Sequence, residues 1–126
     1  MKPHNKTYWK KKADTEWARV IKVRDLHACR YCQRTDKQLH SHHIIGRCIL
    51  HLRHNLLNGI TLCAEHHKFG KYSAHENPVA FNDWIRTEIG DNIYEALKAE
   101  SYKTIKLPFD HYETEYNKLK GMKELE

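Results

Sequence analysis

The chain of 126 residues is long enough for one ordinary domain and too short for two well-packed ones. Hydrophobic residues make up 40% and charged residues 30%, so a core can form but is thin for the length, and something beyond apolar burial is expected to help hold it. Lysine and arginine number 22 against 16 acidic residues, a net charge of +6 that points to a polyanionic partner, and no run approaches the roughly 18 to 20 apolar residues of a membrane helix.

The basic opening is not followed by an apolar stretch of the kind an export signal carries, so the expected location is cytoplasmic, with no membrane partner. Cys29, Cys32, Cys48 and Cys63 would form two disulfides in a secreted chain. In a reducing compartment metal ligation is the better use for them, and eleven histidines strengthen that preference.

Residues 1–13 carry Lys2, Lys6, Lys10, Lys11 and Lys12 with Tyr8 and Trp9, show no period that would bury a face, and read as a basic, partly ordered arm. A single domain is expected over 14–126, with a core at about 27–75 and C-terminal helices at about 77–120. Trp17, Val20, Ile21 and Leu26 recur near helical spacing, and Asp14 or Thr15 caps a helix running to about His27. A tight knuckle at 29–33 leads to a strand over 39–45. Asn58-Gly59 is a hairpin signal before a second strand, Ile60-Thr61-Leu62, that delivers Cys63, and a short helix follows at 64–69, stopped by Gly70. Asn77-Pro78 opens a helix ending near Gly90, with Val79, Phe81, Trp84, Ile85 and Ile89 on its apolar side. Two more helices are expected over about 91–100 and 110–120, and the fold class is α+β.

Cys29-Arg30-Tyr31-Cys32 is a C-x-x-C pair, and Cys63-Ala64-Glu65-His66 offers a C-x-x-H pair some thirty residues later. Two thiolate or imidazole donors from each pair complete a tetrahedral Zn²⁺ site with no open position, which makes that site structural. Cys48 has no partner at ligand spacing and reads as a spare thiol.

Between the pairs lies His40-Ser41-His42-His43-Ile44-Ile45-Gly46-Arg47, then Asn58-Gly59-Ile60-Thr61-Leu62-Cys63, then His66-His67. This ordered set resembles the HNH endonuclease family in its zinc-knuckle form, particularly the small members of bacteriophages and prophages, over residues from about 17 to 84. The resemblance implies a ββα-metal core that holds one divalent ion, Mg²⁺, Mn²⁺ or Ni²⁺, against a scissile DNA phosphate, giving 5′-phosphate and 3′-hydroxyl ends. By the same resemblance His42 is a metal ligand, His43 the general base, His67 the second metal ligand, and Asn58 the residue that ties the loop between the strands or helps to bind the metal. His75, before the Asn-Pro helix start, is either a third ligand or a capping or loop residue, with residues 70–73 reading as an insertion.

Physical chemistry stands beside the resemblance. A divalent cation offsets the charge that makes a phosphodiester resist attack, and a neutral imidazole takes a proton from water at pH 7 better than a carboxylate does. Adjacent strand residues point to opposite faces, so His42 and His43 share a site only where the backbone turns, for which Gly46 is suited. Other readings remain for each residue: Asn58-Gly59 as a type I′ turn, His67 on an exposed helix face, and exchange of the roles of His66 and His67, with the C-x-x-H spacing assigning His66 to zinc.

Arg47, Arg53, Lys68 and Lys71 surround the expected site and suit phosphate contacts that position DNA without reading its bases. Cutting both strands from one site calls for a homodimer or sequential nicks, and phage DNA-processing proteins are the further partners considered. The alternative function is a non-catalytic, zinc-dependent DNA-binding module of packaging or recombination machinery, which accounts for the charge and the C-x-x-C but not for His42, His43, Asn58 and His67 together.

Overall fold

Asn5 begins the first helix: its side chain accepts a hydrogen bond from the Tyr8 N–H, and α1 runs Lys6–Arg24. In the computed structural model, which describes residues 4–122, most of the expected basic arm is therefore the first two turns of a helix. Residues 1–3 of that arm lie outside the described residues. The helical signal is missing from the N-terminal stretch because its partner lies a hundred residues away. Helix α4, His111–Lys120, packs along α1, with the Trp9 and Tyr116 rings 5.6 Å apart and Leu119 buried against Trp17, Val20 and Ile21. Asp14 and Thr15 are thus interior to α1 and cap nothing, which frees Asp14 for a different task.

Helix α1 stops at Arg24, earlier than its apolar period suggests, because Leu26 and His27 take left-handed backbone angles of +58° and +53°. Asp25, the residue at the break, is buried and accepts bonds from Arg24, from Arg30 and from the Thr61 N–H. One carboxylate thereby joins the end of α1, the knuckle and the sheet.

The sheet has two antiparallel strands, β1 Leu39–His43 and β2 Gly59–Cys63, with His42 opposite Ile60 and His43 opposite Gly59. Alternation gives each face its own partner. On one, Ser41 Oγ donates to the Ala18 carbonyl and Gly59 sits so close to α1 that a Cβ would lie 2.5 Å from Trp17 Cζ2. On the other, Ile60 and Leu62 pack with Phe81 and Ile85 of α2, Pro78–Ile89, which Asn77 caps. Within α2 the expected apolar side holds except at Val79, which is exposed. Helix α3, Asp91–Ser101, follows immediately after Gly90.

No tight hairpin joins the strands. Residues 44–58 form a long excursion that ends in a 3₁₀ turn, Leu56–Asn58, and Gly59 is extended (φ −141°). The glycine is required by the closeness of Trp17 and Ile21, not by a positive φ. After β2 the chain makes a single wide π-helical turn, Glu65–Phe69, where a regular short helix was expected. The architecture is α+β, as its composition and strand pattern predict.

Candidate functional site

The knuckle is a tight turn in which the Gln33 N–H donates to the Cys29 carbonyl and Gln33 takes a φ of +61°. The Arg30 N–H donates to the Thr61 carbonyl, so the turn is stitched to β2 beside Cys63. Cys29, Cys32, Cys63 and His66 consequently converge, with donor atoms all within 4.8 Å of one another. Cys32 Sγ lies 3.9 Å from Cys63 Sγ, and His66 Nδ1 lies 3.2 Å and 3.8 Å from the sulfurs of Cys63 and Cys29. Four ligands around zinc at tetrahedral angles stand about 3.8 Å apart for two sulfurs and about 3.6 Å apart for sulfur and nitrogen. The residues present fit that ion, and no disulfide competes for the thiols. Tyr31 stacks on the His66 ring at 4.2 Å and closes the outer side. Cys48 is exposed and outside the group, as its spacing suggests.

His67, one residue further, turns to a different group. Its Nε2 lies 3.1 Å from His75 Nε2, and the donor nitrogens of His42, His67 and His75 all fall within 4.8 Å of one another. The segment 70–73 makes the return that brings His75 there: the Gly70 N–H donates to the Glu65 carbonyl, and the His75 N–H donates to the His67 carbonyl. The α2 cap is Asn77, which leaves the His75 ring to this cluster. Burial lowers the pKa of His42 to about 3 and that of His67 to about 4, with neighbouring imidazoles adding to the effect, so both offer lone pairs at neutral pH.

His43 leaves β1 on the opposite face from His42, and no turn at Gly46 is needed for them to meet. An open cleft of about 530 Å³ wraps the free edge of β1, so that His42 and His67 line it from one face, His43 and Trp17 from the other, and Arg47 and Lys68 at the rim. The His43 ring stacks on Trp17 at 3.9 Å and 8° between planes. Its Nε2 lies 2.9 Å from the Arg53 carbonyl oxygen, which only accepts, so Nε2 carries the proton and Nδ1 is left with its lone pair. Burial lowers the His43 pKa and keeps the ring neutral.

Asn58 is fully buried and fixes the excursion that supplies that carbonyl. It accepts from the Ile45 N–H at 2.7 Å and donates to the carbonyls of Ile45 and Leu52 at 3.0 Å and 3.1 Å. This is a loop tie, and the type I′ reading of Asn58-Gly59 fails on it.

Two supports of the cleft carry no local signal in the sequence. Asp14 makes a bidentate pair with Arg53, 2.8 Å on each side, and accepts from His54 Nε2 at 2.7 Å. Burial opposes ionisation of Asp14, but the bonds from Arg53 and His54 outweigh it and hold the carboxyl below the usual range. Arg53 is therefore committed to α1, and its contribution to the cleft is its carbonyl more than its charge. Trp17 is both core and the plate behind His43, with Nε1 donating to the Asn55 carbonyl at 3.1 Å. Only their helical positions facing the loop mark these two, which a linear reading cannot see. Of the other expected phosphate contacts, Arg47 and Lys68 lie at the cleft, while Lys71 lies over the Tyr72 ring at 5.4 Å.

Among the described residues no helix is long and apolar enough to cross a membrane. Comparison with protein-family models, with curated proteins and with solved structures yields no match.

Proposed function

We propose that this chain is a metal-dependent endonuclease of the HNH type that hydrolyses DNA phosphodiester bonds, with β1, β2 and the following turn as its ββα-metal core. One observation carries the reading: three imidazoles able to share an ion and a fourth, His43, with a free Nδ1 converge on one open cleft rimmed by Arg47 and Lys68. A zinc-dependent binding module has no use for that convergence. The cytoplasm, where thiols stay reduced, suits the Cys29, Cys32, Cys63 and His66 cluster.

His42, His67 and His75 would hold the divalent ion, whose charge would offset that of the phosphate and of the leaving oxygen. Three imidazoles without a carboxylate favour a transition ion such as Ni²⁺ over Mg²⁺, which prefers oxygen ligands. His43 accepts a proton from water at Nδ1, while Trp17 fixes the plane of its ring and the Arg53 carbonyl fixes its tautomer. Asn58 and Asp14 hold the loop that carries that carbonyl. Arg47 and Lys68 draw in the backbone of DNA without reading its sequence.

The test is nicking of supercoiled plasmid by zinc-loaded protein with added Ni²⁺, Mn²⁺ or Mg²⁺, beside a chelator control and His43→Ala. The expected result is ion-dependent nicking that falls at least ~100-fold in the variant. Wild-type rates in His43→Ala would remove it as the base. Absence of cleavage by folded, zinc-loaded protein with every ion would replace the nuclease with the DNA-binding module.

A further inference from the structure

His40 stands two residues before His42 on β1, so both rings leave the same face of the strand. His40 Nδ1 lies 2.8 Å from His67 Nδ1, with the rings near perpendicular at 73°. Two bare lone pairs do not approach so closely, so one of these nitrogens carries the proton. The opposite nitrogen of His67, Nε2, is the one that faces His75 Nε2 at 3.1 Å. Two imidazole nitrogens that share one ion at about 2.0–2.1 Å stand about 3.3 Å apart at a tetrahedral angle. Nε2 is therefore the ligating atom, and Nδ1 of His67 must hold the hydrogen that points to His40.

We propose that His40 is a positioning residue for the three-histidine centre: it accepts the His67 Nδ1–H, and so fixes both the ring orientation and the tautomer that presents Nε2 to the ion. The inference rests on the metal-centre reading above, since it names the partner behind one ligand of that centre. An acceptor behind a ligating imidazole raises its basicity and removes the entropy of ring rotation, and loss of such a partner typically costs 10- to 100-fold in metal affinity. Half-burial shields the pair from competing water. Because His66 Nδ1 already turns toward the thiolates, His40 also separates the two neighbours: each ring uses a different nitrogen and a different partner.

The experiment uses full-length protein with zinc in the thiolate cluster, and compares His40→Leu, which has no acceptor, with His40→Asn, whose amide oxygen stands near the position of Nδ1. Ni²⁺ titration should show about 10- to 100-fold weaker binding in His40→Leu and a return to within a few-fold of wild type in His40→Asn. Long-range ¹⁵N–¹H spectra of the nickel-free protein should show His67 in the Nδ1–H form in wild type and in His40→Asn, and in the Nε2–H form in His40→Leu. Unchanged affinity in His40→Leu, equal weakness in both variants, or an Nε2–H His67 in wild type would each overturn the assignment. A wild-type protein that takes up no Ni²⁺ would overturn the metal-centre reading and with it the positioning of a ligand, while the ¹⁵N spectra would separately show whether His40 sets the His67 tautomer.

Discussion

The two side-chain clusters meet at adjacent residues and differ in everything else. Cys29, Cys32, Cys63 and His66 supply four donors, two of them from fully buried cysteines, and Tyr31 stacks on the one imidazole. His42, His67 and His75 supply three donors, none fully buried, at a cleft open to solvent. Four closed ligands suit an ion that holds a fold together; three ligands beside an opening suit one that keeps a position for something else. The wide turn Glu65–Phe69 lets His66 face one cluster and His67 the other, so a single backbone feature separates the two environments. A short chain with a thin core gains from this economy: the cluster that staples the knuckle to β2 also orients the turn that carries His67.

Breaking the closed cluster should have the largest effect. Metal binding by such a site is folding free energy, on the order of 10 kcal/mol. Cys63→Ser, or a strong chelator on wild type, is expected to abolish the cooperative thermal transition followed by circular dichroism. A normal melt would show that the fold stands without the ion. His67→Ala should sharpen the contrast with its neighbour: it keeps the melt and one zinc per chain but loses the site for added Ni²⁺, whereas His66→Ala loses stability. Equal behaviour of the two variants in metal analysis and melting would erase the distinction.

Next comes the loop tie. Asn58→Ala strands the Ile45 N–H and C=O in a half-buried setting, at about 1–3 kcal/mol for each group left unsatisfied, while the Leu52 carbonyl keeps the Asn55 N–H. With partial relaxation the expected loss is of order 3 kcal/mol, roughly 10 °C in melting temperature. A change below about 2 °C would mean that water replaces the amide.

The acid limb of stability provides a smaller and independent check. Burial disfavours the charged form of Asp25, but Arg24, the Thr61 N–H and Arg30 outweigh it, so its folded pKa is depressed. A depressed folded pKa means stability that is present above the unfolded value, near ~3.9, and lost as pH falls through the folded value. Asp25→Asn should lower the urea midpoint at pH 7 and flatten its decline below about pH 4. An unchanged acid slope would show that this carboxylate gives no net linkage.

The smallest expected effect separates two lysines. Lys68 lines the cleft and Lys71 lies over Tyr72, so Lys68→Ala should reduce the salt slope of DNA binding by about 1 and Lys71→Ala by less. The reverse order in a fluorescence titration would place the DNA path elsewhere.

Local chemistry made much of the molecule legible. Asn77-Pro78 and Gly90 bracket α2 because caps act within a few residues, and the C-x-x-C and C-x-x-H spacings name the closed cluster because chelation is also local. Separation of His66 from His67 followed from the same spacing. What stayed hidden depends on distant partners. The first two turns of α1 are held by α4, and Asp14 and Trp17 act on residues 53 and 43, at sequence separations that no local period encodes. Asn58-Gly59 misled for the opposite reason: the dipeptide suits a tight turn, yet here the amide is a buried tie and the glycine makes room for Trp17.

In the proposed reading one ion serves the fold and a second serves the cleft. The most direct measurement of that reading is cleavage against metal stoichiometry: protein holding one zinc per chain receives increasing Ni²⁺ while plasmid nicking and bound metal are followed together. Nicking should rise with the second ion, and His43→Ala should bind that ion with wild-type affinity yet fail to cleave. Full cleavage with the first zinc alone, or a second ion bound without any cleavage by wild type, would contradict the account.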